Sequence, residues 1–239
     1  MPPDQLAGSA GVSLVIPVPV RSHAAHLPRF AHIADASPLA HCLDAMRAPG
    51  RGFDRVLVVA AELHRGDARS VLANHGHPDV ELITAPDPGR RVDCLRAAVD
   101  HLGTRSESIV VHDLSRPLVS FEVRDRILDA LGSGAELVVP MLLMVDSVKS
   151  VDGHGSVLST IDRSHLRMVQ YPRGMSMSLL RTVVDEAAAG EGTTDEVDVA
   201  LAHGITVITV DGDPDGFSVG DRDVLLAEAI LSCRLEGRR

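Results

Sequence analysis

A chain of 239 residues with a 45% hydrophobic fraction can bury a substantial α/β core, and none of its short apolar runs is long enough to cross a bilayer. A formal net charge of −10 repels nucleic acid and anionic membrane, and an aromatic content of 2% leaves little for exposed bases to stack on, so neither partner is expected. Met1 to Gly11 lacks a basic segment ahead of an apolar core, which points away from a secretory signal and toward the cytoplasm.

The predicted elements alternate between buried strand and amphipathic helix. Ser13 to Val20 holds the apolar run Leu14-Val15-Ile16, of the kind buried on both faces of a parallel sheet. Ser37 then reads as an N-cap with Pro38 at the first helical position, and Leu39, Leu43 and Met46 line one face of that helix. Arg55 to Ala61 is a second strand, followed by a helix from about His64 to Asn74. Val80 to Thr84 and the helix Arg91 to Leu102 come next, then the strand Ser108 to His112 and a helix from Ser120 to Gly132. Ala135 to Pro140 is a fifth strand. From Met141 to Pro172 the pattern changes: Asp146 to Val151 and Val157 to Ile161 are strand-like, and Asp152-Gly153-His154-Gly155 between them signals a hairpin. Helices from Ser176 and Thr194, the strand Ile205 to Val210 and a helix from Asp221 complete the chain. The order predicts a doubly wound sheet with right-handed crossovers.

Three cysteines, Cys42, Cys94 and Cys233, stand far apart without a C-x-x-C pair and read as small core residues. Among twelve histidines, the groups His23, His26, His32 and His75, His77 lack a cysteine or carboxylate at ligand spacing, so surface or loop positions are expected rather than structural zinc. Ligands of an open parallel sheet bind at the carboxyl ends of its strands. Here those ends are Ile16-Pro17-Val18-Pro19-Val20-Arg21, Val111-His112-Asp113-Leu114-Ser115-Arg116-Pro117, and the segment Asp211 to Ser218 after the last strand. Two of these carry acidic residues suited to magnesium, which takes one or two carboxylates together with phosphate oxygens.

With these pieces in order, the chain resembles the 2-C-methyl-D-erythritol 4-phosphate cytidylyltransferase family from Ser13 to Ile230. Val111-His112-Asp113-x-x-Arg116-Pro117 matches the family's V-H-D-A-A-R-P, and Pro140, Asp146-Ser147-Val148-Lys149, Asp162-Arg163, Gln170 with Pro172, and Thr194-Asp195-Glu196 follow in register. The resemblance implies a Rossmann-like nucleotidyltransferase fold in one domain over 1–239, a mostly parallel twisted sheet with helices on both faces. It also implies a β-hairpin arm over 141–172 that joins two copies into a homodimer. By the same resemblance, CTP and a polyol phosphate are the partners and magnesium the cofactor. Asp113 and Asp215 are then the metal-side carboxylates, Arg116 the contact to the polyol phosphate, and Ser147 and Arg163 the arm residues gripping that phosphate. Arg91 and Cys94 fall where the family reads cytosine. Thr194-Asp195-Glu196 reads as a helix start with acids at its N-terminus, and Lys149 as a solvated charge.

The chain departs from the family at its first loop, where P-A-A-G-x-G-x-R is replaced by the shorter Pro17-Val18-Pro19-Val20-Arg21, with Pro28-Arg29 further on. Both glycines are gone, and with them the close approach of backbone N–H groups to phosphate. Pro19 removes a further donor. Ser218 stands where the family has a lysine, and Pro86-Asp87-Pro88 replaces paired glycines. Arg21 and Arg29 are the remaining cations that could serve catalysis there, beside Arg163. The expectation is a family member with weak or lost nucleotidyl transfer. Beside it stand a binding or regulatory paralogue, a working enzyme rebuilt around Arg21 and Arg29, and an enzyme for another nucleotide or sugar phosphate.

Overall fold

The structure, a computed structural model, describes residues 11–21, 30–104, 106–190 and 195–236. Arg29, His23, His26 and Thr194 lie outside the described residues. In chain order the elements are β1 (Val12–Val18), α1 (Pro38–Met46), β2 (Arg55–Ala61), α2 (Glu62–Asn74), β3 (Glu81–Ala85), α3 (Arg91–Leu102) and β4 (Ser108–Val111). They continue with α4 (Phe121–Gly132), β5 (Leu137–Leu143), β6 (Val148–Val151), β7 (Val157–Ile161), β8 (Arg167–Val169), β9 (Arg173–Ser176) and α5 (Met177–Ala189). Then come α6 (Glu196–Ala202), β10 (Val207–Asp211) and, after a short 3-10 turn at Asp221–Asp223, α7 (Val224–Glu236).

The main sheet runs β10-β5-β9-β4-β1-β2-β3, with β8 paired to the end of β5. β1, β2, β3 and β4 are mutually parallel, as are β5 and β10. This is the expected fold class: a mostly parallel sheet with helices on both faces. Successive residues of a strand point to opposite faces, and the cores divide accordingly. Val15, Leu57, Val59 and Val111 pack with α3 and α5, while Leu14, Ile16, Val58 and Val110 pack with α1, α2 and α4. Ser37 caps α1 by accepting a hydrogen bond from the Ala40 amide at 3.3 Å.

Besides β8, the unanticipated strand is β9. It lies antiparallel between β4 and β5, with Val111 opposite Arg173 and Leu137 opposite Met175. Four residues containing a glycine and an arginine carry no period of their own, and partners on both sides make them a strand. The hairpin β6–β7 forms where expected, its turn closed by Asp152, whose carboxylate accepts from the amides of His154 and Ser156 at 2.9 Å. One minor expectation is corrected: Cys233 is exposed rather than in the core.

This topology positions the site. From β1 the chain winds through β2 to β3, then returns to place β4 on the other side of β1. The carboxyl ends of β1 and β4 therefore flank the point where strand order reverses, the crevice in which such sheets hold ligands.

Candidate functional site

The loop after β1 covers one side of the crevice. Pro19 has no N–H to offer, and the Val20 amide donates to the Gly89 carbonyl at 2.8 Å. Gly89 sits in the turn after β3, its own amide bonded to the Pro86 carbonyl at 2.9 Å, with φ at +71°. A Cβ there would stand 2.7 Å from Ala61 Cβ at the end of β2 and 3.1 Å from Val20 Cγ2. The loop is thus folded down over β2 and stitched to the β3 turn, its Val20 donor already used. Arg21 is exposed beyond it.

On the other side, the β4 end forms a tight turn. Asp113 accepts from the Ser115 amide through Oδ1 at 2.8 Å, and its carbonyl accepts from the Arg116 amide at 3.0 Å. Fully buried His112 has an Nε2 3.2 Å from the Arg116 carbonyl, and burial pushes its pKa down to about 4, so the ring is neutral. Arg116 turns its guanidinium to the Gly216 carbonyl, donating at 2.6 Å. Among the described residues the partner its guanidinium bonds is this carbonyl rather than a carboxylate. Burial lowers its pKa, and the nearby Asp113 charge only partly offsets that. A half-buried cation in this state gains more from an anion than a solvated one does.

Behind Arg116 lies a buried ionic cluster. Glu196, wholly inaccessible, accepts from Arg91, from Arg173 at 2.7 Å and from the Tyr171 hydroxyl at 3.3 Å. Asp195, the N-cap of α6, takes a further bond from Arg173 at 2.9 Å. Arg173 lies over the Tyr171 ring at 4.3 Å from its centroid, and Arg91 lies at 5.6 Å. Burial opposes ionisation of Glu196, yet the two guanidinium groups outweigh it and hold its pKa below the usual range. Burial also opposes the charge on Arg91, and Glu196 raises its pKa in return. Burial raises the Tyr171 pKa, with Glu196 adding to the effect.

Of the expected site residues, the crevice brings together Asp113 and Arg116, with Arg91 behind them. Arg91 is committed to Glu196 and donates to Tyr171 Oη at 3.1 Å. Cys94 is 0% exposed on the inner face of α3 and presents no surface to a ligand in this arrangement. Asp215 Oδ2 accepts from Arg234 of α7 at 2.8 Å, and Arg234 also lies 3.8 Å from Asp213. No cluster of three or more His, Cys, Asp or Glu able to hold a metal occurs among the described residues. Ser147 and Arg163 are exposed on the arm, where Arg163 donates to the Val145 carbonyl.

Glu196, Arg173 and Tyr171 were not singled out as site residues. A signal existed for Glu196, since Val199 and Ala200 three and four positions on are buried and put it on the inward face of α6. Arg173 carried none, because its strand was not visible.

Comparison with known proteins gives a consistent result. The family model for 2-C-methyl-D-erythritol 4-phosphate cytidylyltransferase matches residues 18–233. The 2-C-methyl-D-erythritol 4-phosphate cytidylyltransferase of Streptomyces coelicolor is 32% identical over 204 residues, covering 82% of this chain and 74% of that one. The protein of the same name from Streptomyces avermitilis is 31% identical, covering 82% and 80%. Among solved structures, the 4-diphosphocytidyl-2C-methyl-D-erythritol synthase of Anaerococcus prevotii superposes with a TM-score of 0.78 at 19% identity, covering 94% of this chain and 97% of that one. The cytidylyltransferase of Thermus thermophilus gives 0.73 at 23% identity, covering 93% and 99%. Among the described residues no helix is long and apolar enough to cross a membrane.

Proposed function

Because the chain belongs to the 2-C-methyl-D-erythritol 4-phosphate cytidylyltransferase family, we propose that it keeps recognition of a phosphomonoester at Arg116 while transfer of a cytidylyl group from CTP is weak or lost. The observation that carries this reading is the bond from the Val20 amide to the Gly89 carbonyl at 2.8 Å. In-line attack on the α-phosphorus of a triphosphate asks little covalent help from a protein and much charge neutralisation and positioning. One missing preorganised donor typically costs about 10²- to 10³-fold in rate. Here the Val20 donor is engaged, Pro19 has none, and Ser218 replaces a lysine. Arg21 can supply charge but not the backbone cradle.

On the other side of the crevice, Arg116 is half-buried, directed by a carbonyl and short of compensating charge. A phosphate monoester dianion satisfies such a group directly. Magnesium, where a triphosphate brings it, would be held by Asp113, and Asp215 would join only on leaving Arg234. The exposed apolar side chains of the arm, Leu143, Val145, Val151, Val157 and Leu158, support a homodimer made through it.

Pyrophosphate release tests the reading. With CTP, magnesium and methylerythritol phosphate, the protein is expected to release pyrophosphate at least 10²-fold more slowly than a relative with the glycine loop. A comparable rate would mean that the loop after β1 reopens and that the proposal is wrong.

A further inference from the structure

Gln170 lies near the end of the arm, between β8 and β9, and it is 4% exposed. Its backbone amide is fixed to the Pro140 carbonyl of β5 at 2.8 Å. Its side chain makes bonds only to the segment after β10 among the described residues. Oε1 accepts from the Asp213 amide at 2.9 Å, and Nε2 donates to the carbonyls of Asp213 at 2.8 Å and Gly216 at 3.3 Å. One donor faces the oxygen and two acceptors face the nitrogen, so only this orientation of the amide satisfies all three. The fit is close enough to restrict its neighbour: a Cβ on Gly212 would lie 2.2 Å from Gln170 Oε1.

The Gly216 carbonyl held by Gln170 is the one that receives the Arg116 guanidinium at 2.6 Å. We propose that Gln170 is a positioning residue for Arg116, fixing the Asp213–Gly216 loop so that the guanidinium is aimed rather than merely present. The arm and the anion side of the crevice are thereby joined through one side chain. Neither the charge on Arg116 nor its turn after β4 requires this. Without Gln170 the loop keeps the Asp213 and Asp215 contacts to Ser120 and Arg234, but the carbonyl that orients Arg116 loses its second tie.

The ligand part of the test rests on the reading of Arg116 given above, whereas the positioning part does not. Gln170→Met keeps the volume and removes both donated bonds. Gln170→Glu keeps the acceptor for the Asp213 amide but sets a carboxylate against two carbonyls. The Nε–Hε resonance of Arg116, assigned through Arg116→Lys, reports its environment directly in the full-length protein. In whichever variant keeps the wild-type far-UV spectrum, the Arg116 resonance is expected to shift or broaden. Affinity for methylerythritol phosphate should fall about tenfold, the scale of one to two lost hydrogen bonds. An unmoved Arg116 resonance in a folded variant overturns the proposal. A wild-type protein that ignores methylerythritol phosphate, yet shows the shifted resonance in the variants, would instead refute the phosphate reading and leave the positioning role standing.

Discussion

At the scale of single residues, the sequence motif exposed Asp113 and Arg116 because the chemistry of a strand end is written in consecutive letters. It did not expose Glu196, whose role depends on Arg91 and Arg173, partners 105 and 23 residues away. Breaking a buried ion pair on one side leaves charge uncompensated. Glu196→Gln strands Arg91, leaves Arg173 with Asp195 as its remaining carboxylate, and should cost about 3–5 kcal/mol at neutral pH. The same residue sets an acid limit. Its pKa is depressed in the folded protein, so its stabilisation is present above the unfolded value of about 4.5 and fades as pH falls through the folded one. Urea titrations at pH 7 and pH 4 should find the wild type losing stability faster than Glu196→Gln, with the gap between them narrowing in acid. Parallel loss in both proteins would remove Glu196 from that role. Cys94, read both as a small core residue and as the position where the family reads cytosine, is wholly buried on α3.

At the scale of elements, the buried runs gave β1, β2 and β4 and the caps gave α1, because strands covered on both faces and helices with an N-cap proline carry local signatures. β8 and β9 do not, being short stretches whose strand character comes from β4 and β5. The loss of glycine from the β1 loop was equally legible, but its consequence was not. The Val20–Gly89 bond joins two turns separated by two helices and two strands, and nothing local announces it. Gly89 is where this closure is tightest, with φ at +71° and only 2.7 Å between its missing Cβ and that of Ala61. Gly89→Ala should therefore destabilise the protein by about 1–3 kcal/mol through backbone strain and displacement of Val20. A urea midpoint unchanged from wild type would show that the β1 loop does not press on this turn.

Across the whole molecule, the sheet sets the β1 loop and the Asp113–Arg116 turn on the two sides of the β1–β4 reversal, and extends an arm with several exposed apolar side chains. Leu143, Val145, Val157 and Leu158, at the end of β5, in the loop after it and on β7, are each more than 60% exposed, an apolar concentration that points to something covering the arm. Light scattering should find the wild type dimeric and Leu158→Asp monomeric, with the same far-UV spectrum; a wild-type monomer would assign the arm to another partner. The central claim concerns the two halves of the crevice, and calorimetry on purified protein tests it most directly. Methylerythritol phosphate and CTP with magnesium would be titrated separately into wild type and Arg116→Ala. The account predicts binding of the phosphomonoester that is lost in Arg116→Ala, and no heat from CTP up to millimolar concentration. Magnesium-dependent CTP binding at micromolar concentration would contradict it, because the Val20 loop would then be a working cradle in another conformation.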